Sequence, residues 1–262
     1  MMIDVSIILL TYNQELFINE CINSILSQKF NRSFEIIICD DCSFDNTFSI
    51  IEKLTLNIDN ILLIRNEQNL GLAKNYQNAI ELANGRYIVY LEGDDYWTDS
   101  LKIQKQFDAL EVNPNFSLAF HDFVYVDQNS NLISDSNLRK KELRVNRTVP
   151  EMISGCLIHQ NTIMFRNKFK KIPIWFFFAK NHDTWILAYL SNWGPSLYVD
   201  LAPLHYRILK NSLWSSLPHF NKQLNGLITI FSIFPIIQIK YYSILFKKLV
   251  SKVIQIIKLL FK

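Results

Sequence analysis

Two groups of acidic side chains have the types and spacing for work on a charged substrate. Asp40 and Asp41 follow the apolar run Phe34–Cys39, and Glu92-Gly93-Asp94-Asp95 follows Tyr87–Leu91. Adjacent carboxylates repel one another unless a cation or hydrogen bonds neutralise them. A hard, oxygen-seeking divalent ion is one solution at Asp94 and Asp95; solvated loop acids, or a cap ahead of Leu101, are the other. Asp183, just before Thr184-Trp185, has the spacing of a helix N-cap and the chemistry of a general base. His121, His159 and His182 are candidates for an acceptor-side wall or for plain core histidines. Cys39 and Cys42 form a C-x-x-C with no second pair at finger spacing, so the four cysteines make no zinc set and leave only a redox role or free thiols.

These groups need elements that bring them together. Val5–Leu10, Phe34–Cys39, Ile61–Arg65 and Tyr87–Leu91 are short, continuously apolar and rich in Ile and Val, the pattern of strands covered on both faces. Helical patterns lie between and after them, at about 15–28, 45–57, 73–84 and 98–112. Such alternation predicts a parallel sheet, with both acidic groups at its carboxyl edge, where open α/β sheets bind ligands. Asp45 or Ser43 is positioned to cap the second helix and Thr98 the fourth, and Gly85 falls where the third helix would be C-capped. Beyond 116 the sequence suggests a strand Leu118–Val126, a polar hairpin or loop Asp127–Asn146, and mixed β structure to about 178. A helix near 181–193, stopped by Gly194-Pro195, and a strand Leu197–Leu201 follow.

Composition narrows the class. A chain of 262 residues with 49% hydrophobic and 19% charged residues and a net charge of +3 is too apolar for disorder and too balanced for a generic nucleic-acid binder. Its six glycines, at 71, 85, 93, 155, 194 and 226, include neither a Walker A loop nor G-x-G-x-x-G, so a nucleotide must be held by another device. The lack of any glycine before 71 also argues against a nucleotidyltransferase. The N-terminus has no basic region and no long apolar core, and the cysteines read as free thiols, so a cytoplasmic location is expected.

The blocks Val5–Asn13, Glu35–Asp41 with Ser43 and Asp45, Asn69-Leu70-Gly71, and Gly85–Ile88 leading into Glu92–Trp97 resemble the family 2 glycosyltransferases. The likeness continues through Leu101–Gln106, from His159 to Met164-Phe165-Arg166, and to Asp183-Thr184-Trp185 and Tyr206-Arg207, about residues 3–215 in all. It implies the GT-A fold: α/β, Rossmann-like, a mixed and mainly parallel sheet flanked by helices. A nucleotide-binding half, 1–115, and an acceptor-binding half, 116–215, would precede a basic helical tail, 216–262.

The resemblance also implies roles. Tyr12 would stack on the base and Asp41 would accept from a uracil-type imide, a pairing that suits a pyrimidine. Thr11 and Asn13 would contact ribose or phosphate, and Lys74 with Asn75 stands where relatives carry Arg-Asn, so Lys74 would meet phosphate as a point charge. Asp95 and then Asp94, which would touch metal or ribose, are the implied ligands of Mg²⁺ or Mn²⁺, with Glu92 replacing the usual first acid. Asp183 would be the base of an inverting transfer from a nucleotide-sugar, most simply a UDP-sugar. One departure is Leu209, where the family often has a histidine; His205 or Arg207 is then the candidate substitute. A non-catalytic sugar-nucleotide-binding or scaffold relative is the alternative reading.

The tail explains the basic balance. From Lys222 to Lys262 there are seven lysines and no acid, which leaves −4 on the remainder. Ile244, Leu245, Lys248, Leu249, Lys252, Val253, Ile256, Ile257 and Leu260 fit a helical period. Leu227–Ile239 is broken by Pro235 and too short to span a bilayer. The sequence thus predicts a basic amphipathic helix, lying on an anionic membrane surface or packed on the body with its lysines solvated. A membrane contact would fit a lipid-linked or other glycan acceptor in surface polysaccharide synthesis.

Overall fold

The strands predicted for the first half all form in the computed structural model, which describes residues 2–133, 144–169, 171–209 and 217–260. They are β1 (Val5–Thr11), β2 (Phe34–Asp40), β3 (Ile61–Arg65) and β4 (Tyr87–Glu92). Helices α1 (Ile18–Leu26), α2 (Thr47–Thr55), α3 (Leu72–Leu82) and α4 (Lys102–Val112) separate and follow them. The second half is less regular: β5 (Leu118–Phe120), β6 (Phe123–Val126), α5 (Val149–Ser154), β7 (Met164–Arg166), α6 (His182–Leu190), β8 (Ser196–Tyr198), β9 (Leu204–Arg207), α7 (His219–Ile233) and α8 (Tyr242–Leu260).

Seven strands form one sheet in the order β3-β2-β1-β4-β7-β5-β8, and β6 pairs with β9 outside it. The run from β3 to β4 is parallel, β7 is antiparallel to both its neighbours, and β5 is parallel to β8. Register decides where the acids go. Thr11 lies opposite Asp40, and Leu10 opposite both Cys39 and Glu92, so the carboxyl ends of three central strands finish level with one another.

Alternation along each strand splits the core into two layers. Ile8, Leu10, Ile37, Cys39, Ile88 and Tyr90 face one side, against Tyr76 and Ala79 of α3 and Trp185 of α6. Val5, Ile7, Leu9, Ile36, Ile38, Val89 and Leu91 face the other, against α1 and Phe107 of α4. The tail joins the first layer: Ile230, Ile233, Ile237 and Leu245 are buried with α5 and α6. At about 1.5–3 kcal/mol for each fully buried aliphatic side chain, this anchors α7 and the first turns of α8 firmly to the body.

Several local expectations change. Leu118–Val126 is not one strand: it breaks at His121-Asp122, sending β5 to the main sheet and β6 to the small one. The expected β region before 178 contains α5 and two 3₁₀ turns, Gln160–Thr162 and Ile174–Phe178, around the short β7. The start of α5 is fixed by a capping box, in which Thr148 and Glu151 each accept from the other's backbone N–H. Of the expected 127–146 loop, residues 134–143 lie outside the described residues. Thr98 does not cap α4; its hydroxyl donates to the Pro203 carbonyl, 2.7 Å away. All four cysteines are free thiols.

Gly85 serves a close approach rather than a helix cap. Its N–H donates to Ser6 Oγ at 2.8 Å, and a Cβ there would run into the Ser6 backbone nitrogen and the Val5 carbonyl carbon. The substitution Gly85→Ala is therefore expected to push β4 away from β1 and to cost roughly 2–3 kcal/mol, read as a melting temperature lower by roughly 5–10 °C. An unchanged melting temperature would show that the strands have slack at this point.

Candidate active site

At the carboxyl end of β4, the chain turns through Gly93, where a Cβ would collide with Thr11 Oγ1 and Gln14 Oε1. That close turn gathers Glu92, Asp94 and Asp95 so that one carboxylate oxygen of each lies within 4.8 Å of the others. Asp95 is buried and held from both sides, one oxygen accepting from the Arg207 backbone N–H at 2.8 Å and the other from Asn161 Nδ2. Glu92 accepts from the Tyr90 hydroxyl at 3.0 Å, and Asp94 keeps part of its surface open.

Electrostatics make the cluster reluctant to ionise. Burial, then the charges of Asp94 and Asp183, push Glu92 up to about 8. Burial and the Asp94 charge raise Asp95 well above the usual carboxylate range, and burial raises Asp94. Three oxygen donors under mutual repulsion are what a Mg²⁺- or Mn²⁺-type ion requires, so the donor set fits such an ion.

Asp183, in the first turn of α6, belongs to the same field, since its charge acts on Glu92, Tyr76 and Tyr206. Burial pushes Asp183 up to about 6, opposed by the backbone N–H groups of Gln160 and of Asp183 itself. It is not the N-cap of α6; Asn181 is, its side chain accepting from the Thr184 N–H at 2.9 Å. Around Asp183 and Glu92, the Tyr76 hydroxyl, Gln160 Nε2, Asn161 Oδ1 and His182 Nε2 are buried with no hydrogen-bond partner among the described residues. Tyr206 faces the carboxylates and packs on His159, ring centroids 4.3 Å apart.

The other predicted residues line the β1 and β2 ends. Tyr12 is 40% exposed, with Phe44 edge-on at 6.0 Å. Asp41 is buried and accepts from Asn66 Nδ2 and the Leu70 and Gly71 N–H groups, each at 2.8 Å, which leaves lone pairs for one more donor. Thr11 donates to Gln14, and Asn13, at φ 52°, locks the loop by donating its N–H to Ser43 Oγ and accepting from the Phe44 N–H. Lys74 is exposed on the first turn of α3, bonded to Gln77. Asn75 is buried, donating to the Cys39 carbonyl and accepting from Asn66, so it supports Asp41 from behind. His121 is buried beside Lys102, and burial holds its ring neutral.

Arg207 does not stand in for the histidine absent at 209. Its side chain is 1% exposed and fully engaged, bonding Glu20 at 2.6 Å, the carbonyls of Asp94, Asp127 and Gln128, and Ser130 Oγ, with Phe17 under the guanidinium. His205 Nδ1 is likewise shared with the Tyr96 hydroxyl at 2.7 Å. The partners Glu20, Ser130 and Asn161 carry no local sequence signal, because each reaches the cluster from more than 60 residues away. Replacing Arg207 by Met should cost about 2–4 kcal/mol in urea unfolding, since buried acceptors and Glu20 lose their donor. A phosphate-binding arginine would instead leave stability intact and weaken nucleotide binding.

Comparison with known proteins gives the family and the fold. Residues 6–173 match glycosyl transferase family 2. The chain is 27% identical over 213 residues to the Escherichia coli UDP-Glc:alpha-D-GlcNAc-diphosphoundecaprenol beta-1,3-glucosyltransferase WfgD, covering 81% of this chain and 80% of that protein. It is 30% identical over 164 residues to a Mycobacterium tuberculosis protein, of which it spans only 47%. Among solved structures, Staphylococcus aureus TarS with UDP-GlcNAc superposes at a TM-score of 0.71, with 20% identity over 95% of this chain and 72% of that one. The Pyrobaculum calidifontis mannosyltransferase PcManGT, bound to GDP-Man and Mn²⁺, does so at 0.68, with 15% identity over 94% and 68%. These likenesses give the GT-A fold, and the family match covers well over half of the sequence: the chain belongs to glycosyl transferase family 2.

Proposed function

We propose that this glycosyltransferase moves a sugar from a UDP-sugar to a hydroxyl of a lipid-linked glycan, with inversion, in the assembly of a surface polysaccharide or lipid-borne glycan. The observation that carries this reading is the shared field of Asp183 and the Glu92, Asp94, Asp95 cluster. A base and a diphosphate site must flank the anomeric carbon, and the charge of Asp183 reaches Glu92 of the cluster and the Tyr206 ring that both share.

In this reading Tyr12 stacks on uracil, the spare lone pairs of Asp41 take its imide N–H, and Thr11 and Asn13 border the ribose. Asn75 keeps Asp41 in place through Asn66, and Lys74 meets the diphosphate from the solvent side. Asp94 and Asp95, with Glu92 beside them, would hold a Mg²⁺ or Mn²⁺ ion whose chemistry is to neutralise charge on the departing diphosphate. Asp183 takes the proton of the acceptor hydroxyl while that oxygen bonds to the anomeric carbon, and the bond from that carbon to the UDP oxygen breaks on the opposite face. Residues 1–115 serve the nucleotide and 116–215 the acceptor.

The tail supplies the address. No helix among the described residues is long and apolar enough to cross a membrane. On α8, Phe246, Val250, Ile254 and Ile257 are exposed beside Lys247 and Lys258, an apolar and basic face suited to the anionic surface of the inner membrane leaflet. WfgD, by its name, acts on a diphosphoundecaprenol-linked sugar, and an acceptor of that class is met at such a surface.

Calorimetric titration with UDP should show binding that requires Mn²⁺ and is lost in Asp94→Asn. Binding independent of both would remove the metal from the reading, and binding without any turnover would favour a scaffold. Asp183→Asn should lower kcat by about 10²–10⁴-fold while UDP affinity holds. Because burial raises Asp183 to about 6 and only its ionised form accepts a proton, kcat should fall below about pH 6 and level off above it. A rate that keeps its full value at pH 5 would argue against Asp183 as the base.

A further inference from the structure

Behind the start of α6, on the side of α7 and α8, lies a cavity of about 130 Å³ lined by Lys222, Lys248 and Lys252 together with Asn181 and Thr184. Lys248 and Lys252 are one turn apart on the inward face of α8, opposite the outward apolar stripe. Two glycines leave room for them. A Cβ at Gly155 would sit 3.1 Å from Lys248 Nζ, and one at Gly226 would sit 3.0 Å from Lys252 Cε.

No carboxylate pairs with Lys248 or Lys252 among the described residues; Lys252 donates to the neutral Gln223 at 2.7 Å. Burial and the Lys252 charge draw Lys248 down to about 8. Half-buried ammonium groups without a counterion are costly, and an anion between them relieves both desolvation and repulsion. The N-terminal turn of α6 borders the same space through its cap residue Asn181 and through Thr184, which brings the positive end of the helix dipole near.

We propose that this cavity binds the phosphate groups of the diphosphate-lipid that carries the acceptor sugar. The inference rests on the lipid-linked acceptor of the preceding reading and names where its charged linkage sits. Position distinguishes this ligand from a membrane headgroup. Lys247 is exposed with the apolar stripe, whereas Lys248 and Lys252 turn towards the helix that carries Asp183. Asp183 stands on the same first turn of α6 whose cap residue, Asn181, lines the cavity, so a phosphate held here and the base share one short segment of chain. Thr229 ties the floor to the base's helix, accepting from the Lys180 and Asn181 N–H groups at 3.0 Å. The same α8 would then hold the diphosphate on one face and rest on the bilayer with the other.

Transfer from a UDP-sugar would be compared on a short-chain alkyl GlcNAc-α-diphosphate and the matched uncharged alkyl GlcNAc glycoside. The full chain should favour the diphosphate in KM by about tenfold or more, and Lys248→Met and Lys252→Met should erase that preference with donor KM unchanged. A preference that survives the double variant, or an equal loss on both acceptors, overturns the assignment while leaving the glycosyltransferase reading intact. Independently of turnover, inorganic diphosphate titrated in EDTA, which removes the metal that diphosphate binding at the donor site would need, should bind the wild-type chain and not the folded double variant; no wild-type binding also overturns it. Phosphatidylglycerol vesicles should bind both proteins alike, and loss of vesicle binding in the double variant would transfer the cavity to a headgroup.

Discussion

Repulsion among carboxylates at the carboxyl end of β4 is the constraint around which the rest of this molecule is arranged. Glu92, Asp94 and Asp95 are drawn together by the tight turn at Gly93, and Asp183 adds its field from α6. Such a group would spring apart or stay protonated without donors around it. The protein supplies Tyr90 to Glu92, and Asn161 and the Arg207 backbone to Asp95. The Arg207 guanidinium lies behind the turn, bonded to the Asp94 carbonyl. The small β6–β9 sheet exists to carry that arginine, and the turn at 127–130 wraps it. What is left uncompensated is the open side of the cluster, where Asp94 keeps part of its surface exposed.

β1, β2 and β4 were legible because each is covered on both faces, which forces a continuous apolar run that no helix of that length would need, and the edge strand β3 was read from its apolar composition although Leu62 is exposed. The strand-end acids were legible for the same reason: once the strands are placed, the carboxyl edge follows. Little after 116 was legible. β5, β7 and β8 have three residues each, too few to show a period, and their pairing partners lie far along the chain. Within Leu118–Val126 no breaker residue marks the point where the chain leaves one sheet for the other. Thr148 and Glu151 did carry a cap signal for α5, in a stretch where mixed β structure was expected.

At the site, residue type proved easier to read than engagement. Arg207 and His205 were sensible substitutes for an absent histidine on type alone, yet their donors and acceptors are taken by partners from other segments. The tail shows the same limit. Its helical period was plain, but an amphipathic pattern with lysines on both flanks does not say which flank is inside. Burial of Leu245, with Phe246 left exposed, settles the orientation of α8, and turns Lys248 and Lys252 inward while Lys247 stays exposed.

The bond between Arg207 and Glu20 spans 187 residues of chain. Strands β1 to β4 pair among themselves, so that part of the sheet has its partners as soon as residue 92 has emerged from the ribosome. The acidic turn at its edge does not: the donors for Asp95 come from 161 and 207, and β7 must insert beside β4 afterwards. During synthesis the chain therefore carries a formed sheet with an uncompensated patch of negative charge until its last third is made. Closure of that patch, a step of high contact order, is set by translation reaching β9 and makes the acidic cluster one of the last parts of the protein to assemble.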